Sequence, residues 1–295
     1  MNLLHVAILA VVQGLAELLP VSSSAHVIVV EKLLGLDPTT PETTLLLVML
    51  HTGTMLAVIL YFWRAWKKSI FASWAVFLQQ ALRLLTATLL TAAVGVPLIL
   101  GIEKGAERAG WFTKNAGGDL PKAEIELLFG NLGLIAAALT AGGALILIAG
   151  LAEGRTAGGR AVGMREAVCM GAVQGLCLPL RGFSRSGATI STGLLLGALK
   201  ARVEEFSFAL AVLITPAAVA REVWRLVKAQ HPAGGAGVTW GLFAPSLLGM
   251  VLAFLAGLLA LRWLSRWLEG GRWYLFGVYC LLAAAAVLAL YSRGL

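Results

Sequence analysis

The 295-residue sequence predicts an all-α integral membrane protein that crosses the bilayer several times. Three observations carry that expectation. Hydrophobic residues make up 59% of the chain and charged residues 13%, whereas soluble globular domains are about 25% charged. Apolar runs of about 20 residues, the length that spans a bilayer, recur from one end to the other and leave no stretch for a separate soluble domain. Two further apolar regions are interrupted by Pro, Gly and Ser, which suits buried helix breaks better than simple spans.

Taken in order, the first broken region covers residues 3–36 and is interrupted by Leu19-Pro20-Val21-Ser22-Ser23-Ser24. Spans follow near 43–62, 84–102 and 127–150, with connections at Arg64 to Arg83, Glu103 to Glu126 and Glu153 to Arg165. The second broken region covers 164–200 and is interrupted by Pro179-Leu180-Arg181-Gly182-Phe183-Ser184-Arg185-Ser186-Gly187. Spans near 206–227, 239–262 and 273–291 complete the chain. The flanks of each break are too short to cross alone, since a helical span needs about 20 residues. Each pair of flanks is expected to form a re-entrant helical hairpin. Non-helical backbone at membrane depth survives only against protein or a wet cavity, so the two breaks should line one polar chamber. Met1-Asn2-Leu3-Leu4 has no Lys or Arg before its apolar run and does not read as a cleavable signal peptide.

The chain also reads as two copies of one unit within a single membrane domain, residues 1–155 and 156–295. Val12-Gln13-Gly14-Leu15 recurs as Val173-Gln174-Gly175-Leu176, an offset of 161 residues that also puts Ser23 on Ser184. Each unit is a hairpin plus three spans; because three is odd, the second copy should be inverted relative to the first, an arrangement that brings discontinuous helices together near the midplane. The connections at 64–83, 151–166, 200–205 and 262–272 hold twelve Lys and Arg. The excess of cations places these connections inside and both termini outside.

The formal charge of +8 would hint at nucleic acid in a soluble protein; here it flanks membrane spans, and no nucleic-acid partner is expected. Cys169, Cys177 and Cys280 lie in apolar segments without metal-ligand spacing and read as small core residues.

The chemistry-bearing residues are those that apolar segments should not contain. Apart from His5, no acid or base precedes Glu17, and Gln13 lies four residues before it on the same helix face. An ionisable group inside the membrane costs about 2.5–3.5 kcal/mol on insertion scales, so function is the default reading. The plainer reading is a glutamate at the water interface or paired to an arginine for packing. Ser22, Ser23, Ser24 and His26 follow Pro20, where a new helix can start and offer hydroxyls and N–H groups to an anion. A Ser run after Pro is also an ordinary helix cap, and His26 alone could be a buried hydrogen-bonding side chain. The second break repeats the chemistry with a cation. Around Arg185, the hydroxyls of Ser184, Ser186 and Thr189 and the small Gly187 offer bidentate charge-assisted donors and close backbone approach, which a phosphate or diphosphate needs. Gln174, the repeat mate of Gln13, joins these as a substrate-binding candidate. Arg185 could equally neutralise Glu17 across the repeat interface. His51 is either a support for the site or a packing residue. Gly193 and Gly197 have GxxxG spacing and suggest close helix packing, and the segment from Arg262-Trp263 to Arg272-Trp273 reads as an interface belt. P-loop, HExxH and GxSxG patterns are absent.

Two long motifs resemble the undecaprenyl-diphosphate phosphatase family linked to bacitracin resistance. They are Gln13-Gly14-Leu15-Ala16-Glu17-Leu18-Leu19-Pro20-Val21-Ser22-Ser23-Ser24-Ala25-His26 and Gly182-Phe183-Ser184-Arg185-Ser186-Gly187-Ala188-Thr189-Ile190-Ser191. His51-Thr52-Gly53-Thr54 and Glu205-Phe206-Ser207-Phe208 extend the similarity along nearly the whole chain. The resemblance implies a bacterial inner-membrane enzyme with inverted repeats, converting undecaprenyl diphosphate to the monophosphate to recycle the lipid carrier of cell-wall synthesis. It implies that Glu17, Ser23, His26 and Arg185 are catalytic. Where the family usually has a second Glu this chain has Gln13, and it has Arg181 in place of a Pro. Losing one carboxylate weakens any tight metal site, although Glu17 with substrate phosphates could hold Mg²⁺ or Ca²⁺. Membrane lipids and a second copy of the chain are the other partners expected. A transporter or flippase for a lipid phosphate or small anion is the rival reading, because midplane breaks in inverted repeats are typical of transporters.

Overall fold

A computed structural model describes residues 2–37, 40–108, 131–152, 159–230 and 240–293. In chain order the helices are α1 (Leu3–Leu18), α2 (Ser23–Leu33), α3 (Pro41–Ser69), α4 (Trp74–Arg108), α5 (Leu132–Ala152), α6 (Met164–Cys177), α7 (Arg185–Leu195), α8 (Lys200–Gln230), α9 (Trp240–Glu269) and α10 (Trp273–Ser292). Among the described residues there is no strand, only an isolated bridge between Arg160 and Ala198. Among the described residues five helices are long and apolar enough to cross a membrane: α3, α4, α5, α9 and α10. The expected span at 206–227 is helical within α8.

Local chemistry sets the ends that matter. The Asn2 side chain accepts from the Leu4 N–H at the start of α1. At its other end Leu19, which precedes Pro20, turns extended (φ −74°, ψ 151°), because a proline disfavours the helical region for the residue before it. Thr40 caps α3, with Pro41 in the first turn. The Glu166 carboxylate accepts from the Gly163 N–H at the start of α6, and the Ser184 hydroxyl accepts from the Gly187 N–H at the start of α7.

Three expectations change. The segment 64–83 is mostly helix: α3 runs to Ser69 and α4 begins at Trp74, since charged residues at a membrane edge continue a helix as readily as they break it. Residues 109–130 and 153–158 lie outside the described residues, so the expected connections Glu103 to Glu126 and Glu153 to Arg165 are each described at one end only. Gly193 and Gly197 do not act as one packing pair. A Cβ on Gly193 would meet Val203 Cγ1 at 2.6 Å, whereas Gly197 has φ +82° and open space around it. Gly197 terminates α7 in a left-handed turn, with the Ala198 N–H donating to the Gly193 carbonyl at 3.1 Å. Trp273 is not a belt residue: it is fully buried, and its indole N–H donates to Ser191 Oγ at 3.0 Å.

Small residues let backbones close on one another. Helix α1 lies on α9 where a Cβ on Gly14 would strike the Ala253 carbonyl oxygen at 2.7 Å. Helix α6 lies on α4, where a Cβ on Gly175 would strike the Thr91 carbonyl oxygen at 2.8 Å. At one end of the bundle several connections meet. Trp66 donates to the Glu205 carbonyl at 3.2 Å. Tyr61 donates to Ser265, which donates to Glu204 at 2.6 Å. Lys200 reaches the Glu269 carbonyl, and Arg160 pairs with the 197–199 backbone.

Candidate active site

The site is assembled by the two breaks. After Pro20 the chain turns through Ser22, whose φ of 68° is the only positive value at a non-glycine position among the described residues. Such a conformation costs about 1–3 kcal/mol and persists where surrounding structure enforces it. Its consequence is that α2 starts at Ser23 with the Ser23 hydroxyl aimed back at the last turn of α1. Ser23 Oγ donates to Glu17 Oε2 at 2.5 Å. Gln13, one turn earlier, donates to the same oxygen at 3.3 Å. The other oxygen, Oε1, accepts from Arg185 at 2.9 Å. His51 Nε2 lies 4.0 Å from Glu17 Oε2, so His51 supports the site while its Nδ1 bonds to the Leu47 carbonyl. One carboxylate therefore collects side chains from α1, α2, α3 and α7. The Arg185–Glu17 pair that the sequence offered as an alternative is present, and it joins the two breaks. A second tie runs from the Ser186 hydroxyl to the Leu19 carbonyl at 3.4 Å.

The remaining candidates take structural positions around this centre. Ser22 and Ser24 hydroxyls lie 3.3 Å apart, and Ser22 makes no side-chain cap bond. Ser184 and Ser186 hydroxyls lie 3.4 Å apart. Gly187 spends its N–H on the Ser184 cap, and a Cβ there would meet Ile146 Cδ1 at 2.6 Å; its smallness lets α7 pack on α5. Thr189 is fully buried and shares a 2.6 Å hydrogen bond with Ser207, tying α7 to α8. Gln174 is not brought to Glu17: it donates to Thr91 of α4 at 3.2 Å. His26 Nδ1 lies 2.8 Å from the Ser22 carbonyl oxygen, and its Nε2 lies 2.7 Å from the Tyr279 hydroxyl of α10. Tyr279 escaped the sequence reading because it sits in an apolar run with no polar neighbour to mark it.

Beside Glu17 and Arg185 opens a small recess of about 10 Å³, lined by Leu18, Met55, Val58, Phe208, Ala211 and Val212 together with Thr54 and Thr215. It places one charged pole against apolar walls. Sites that engulf a drug-sized ligand are far larger, about 300–1,000 Å³, so a long apolar ligand lies outside this recess.

A resident divalent cation does not suit this donor set. Both Glu17 oxygens accept hydrogen bonds from protein donors, and no group of three His, Cys, Asp or Glu converges among the described residues. Mg²⁺ and Ca²⁺ favour several oxygen ligands, chiefly carboxylates and phosphates.

The family model described as bacitracin resistance protein BacA matches residues 6–286. The chain is 54% identical over 292 residues to undecaprenyl-diphosphatase 2 of Acinetobacter baylyi, covering 98% of each chain. It is 34% identical to the undecaprenyl-diphosphatase of Geobacter sulfurreducens, covering 99% of this chain and 100% of that one. It is also 34% identical to the undecaprenyl-diphosphatase of an Anaeromyxobacter strain, covering 100% and 90%.

Proposed function

The chain belongs to the bacitracin resistance protein BacA family, and from that premise we propose that it is a membrane phosphatase hydrolysing undecaprenyl diphosphate to undecaprenyl phosphate. The observation that carries the reading is the Glu17 carboxylate held between the Ser23 hydroxyl and the Arg185 guanidinium. A hydroxyl donating to a carboxylate is the arrangement of an activated nucleophile. Ser23 Oγ attacks the terminal phosphorus and its proton passes to Glu17 Oε2. The bond from that phosphorus to the bridging oxygen breaks, and the lipid monophosphate leaves with the electron pair. Arg185 turns from Glu17 to the phosphoryl oxygens, where a planar guanidinium offers bidentate donors to developing charge. Water then attacks the phosphoserine, Ser23 recovers a proton from Glu17, and phosphate departs with the water oxygen. His26 serves as acid and base for the water step. The prenyl chain lies outside the small recess beside Glu17, along lipid.

The same reading places the protein in the bacterial inner membrane, with several crossings. Two inverted copies, residues 1–155 and 156–295, are supported by the helix order: two short helices and three long ones occur twice. Their neighbours exchange as in any twofold repeat, α1 lying on α9 and α6 on α4. The short pairs α1–α2 and α6–α7 are read as re-entrant hairpins. A divalent ion, Mg²⁺ or Ca²⁺, is assigned to the substrate phosphates and not to a protein cage. A homodimer remains part of the proposal without a step that needs it. Transport of a lipid phosphate is the weaker reading, because moving an anion does not need a hydroxyl lodged on a carboxylate.

Phosphate release from undecaprenyl diphosphate by the purified protein, with and without chelator, tests the activity. Ser23→Ala should lower turnover to background while leaving thermal stability unchanged. Full turnover in that variant removes Ser23 as nucleophile.

A further inference from the structure

Ser23 gives its hydroxyl hydrogen to Glu17, which leaves open what holds His26 ready. The Ser22 carbonyl oxygen, 2.8 Å from His26 Nδ1, can only accept. Nδ1 therefore carries hydrogen, and in the neutral ring Nε2 is the acceptor. The group facing Nε2 is the Tyr279 hydroxyl at 2.7 Å. It comes from the last helix of the chain, 253 residues away. The two rings also lie nearly parallel, at 12°, with centroids 5.7 Å apart. The imidazole is thus pinned at both nitrogens.

We propose that Tyr279 is a positioning residue for His26, fixing its Nδ1–H tautomer and ring orientation, with the proton from water reaching Nε2 by way of the phenol hydroxyl, which passes its own proton to the ring as it takes the new one. A phenol suits this work because its oxygen both donates and accepts. It donates to Nε2 of the neutral ring and accepts from Nε2–H of the imidazolium, so the ring keeps its orientation through a change of protonation. A lysine or a carboxylate serves only one of those two forms. The inference rests on the hydrolytic reading of the Ser23–Glu17–Arg185 centre.

Tyr279→Phe tests it, because the variant keeps the stacked ring and removes only the hydroxyl. Acid–base catalysis contributes about 10²–10⁴-fold, so loss of orientation alone should lower kcat on the order of tenfold. KM and melting temperature should stay near wild type. The decisive comparison is a double-mutant cycle. In a His26→Ala background, Tyr279→Phe should change kcat no further, because a residue acting through His26 has nothing left to act on. An equal loss in both backgrounds would show a packing or substrate-binding role and overturn the proposal, as would undiminished kcat in the single variant. Wild-type protein and Ser23→Ala run in the same assay separate the two levels. If wild type releases no phosphate, the hydrolytic reading fails and this inference with it; if Ser23→Ala releases it fully, Ser23 falls as nucleophile while the Tyr279 cycle is still read on the hydrolysis that remains. If both controls behave, the cycle judges Tyr279 alone.

Discussion

At the scale of single residues the molecule concentrates its polar chemistry on one carboxylate. Glu17 accepts from Ser23, Gln13 and Arg185, and a charge lodged in a membrane segment costs about 2.5–3.5 kcal/mol on insertion scales unless such partners offset it. That expense made Glu17 and Arg185 legible in the sequence: ions stand out against apolar runs. Tyr279 did not stand out, and the pairing of Gln174 with Thr91 depends on helix packing that one sequence does not encode locally. Glu17→Gln should lower kcat by about 10²–10⁴-fold with little change in diphosphate affinity, since Gln keeps size and an acceptor oxygen but cannot take the Ser23 proton. Steady-state kinetics with a separate binding measurement check this. Tighter diphosphate binding with unchanged kcat would instead mark a passive anion site.

At the scale of elements, the helix breaks were readable and the helix lengths were not. Pro20 and the Pro179–Gly187 stretch forced interruptions, and α1 and α6 end at Leu18 and Cys177 accordingly. By contrast the cations between 64 and 83 look like a loop in sequence while α3 and α4 carry all of them, Arg64, Lys67, Lys68 and Arg83, as helix. Trp273 shows the same limit, an interface residue by composition and a core residue by packing. Close helix contact gives the test at this scale. A Cβ on Gly14 would meet Ala253 O at 2.7 Å and Ala256 Cβ at 2.6 Å, and overpacking costs about 1–3 kcal/mol. Gly14→Ala should therefore lower the melting temperature in detergent, and it displaces the helix that carries Glu17. Gly101→Ala in α4, where nothing lies within 4 Å, should be neutral or raise stability by up to about 1 kcal/mol. Equal melting temperatures for the two variants would show that α1 does not need its close seat on α9.

At the scale of the whole molecule, several cation-bearing connections share one end of the bundle. The connections around 64–73, 160–163, 196–205 and 265–272 gather at one end through Trp66 to Glu205, Lys200 to Glu269 and Arg160 to the 197–199 backbone. These include most of the cation-rich segments that the positive-inside tendency assigns to the cytoplasm. The inverted repeat was argued from a four-residue recurrence and an odd count of spans, and the orientation from the cation count; the helix order, two short helices then three long ones, occurs twice. The turn after α2 and the turn after α7 should then face opposite sides of the membrane. Single cysteines at Gly35 and Ala201, both exposed, test this in a protein whose Cys169, Cys177 and Cys280 are replaced. Gly35 has φ +66° with open space around it, so a side chain there brings modest backbone strain, about 1–2 kcal/mol, and no clash. In intact cells a membrane-impermeant maleimide should label position 35 and spare position 201 until the membrane is opened. Labelling of both from outside would place the two hairpins on the same side. Inversion would then be wrong, and the meeting of the breaks at Glu17 and Arg185 would need a parallel arrangement of the two units to explain it.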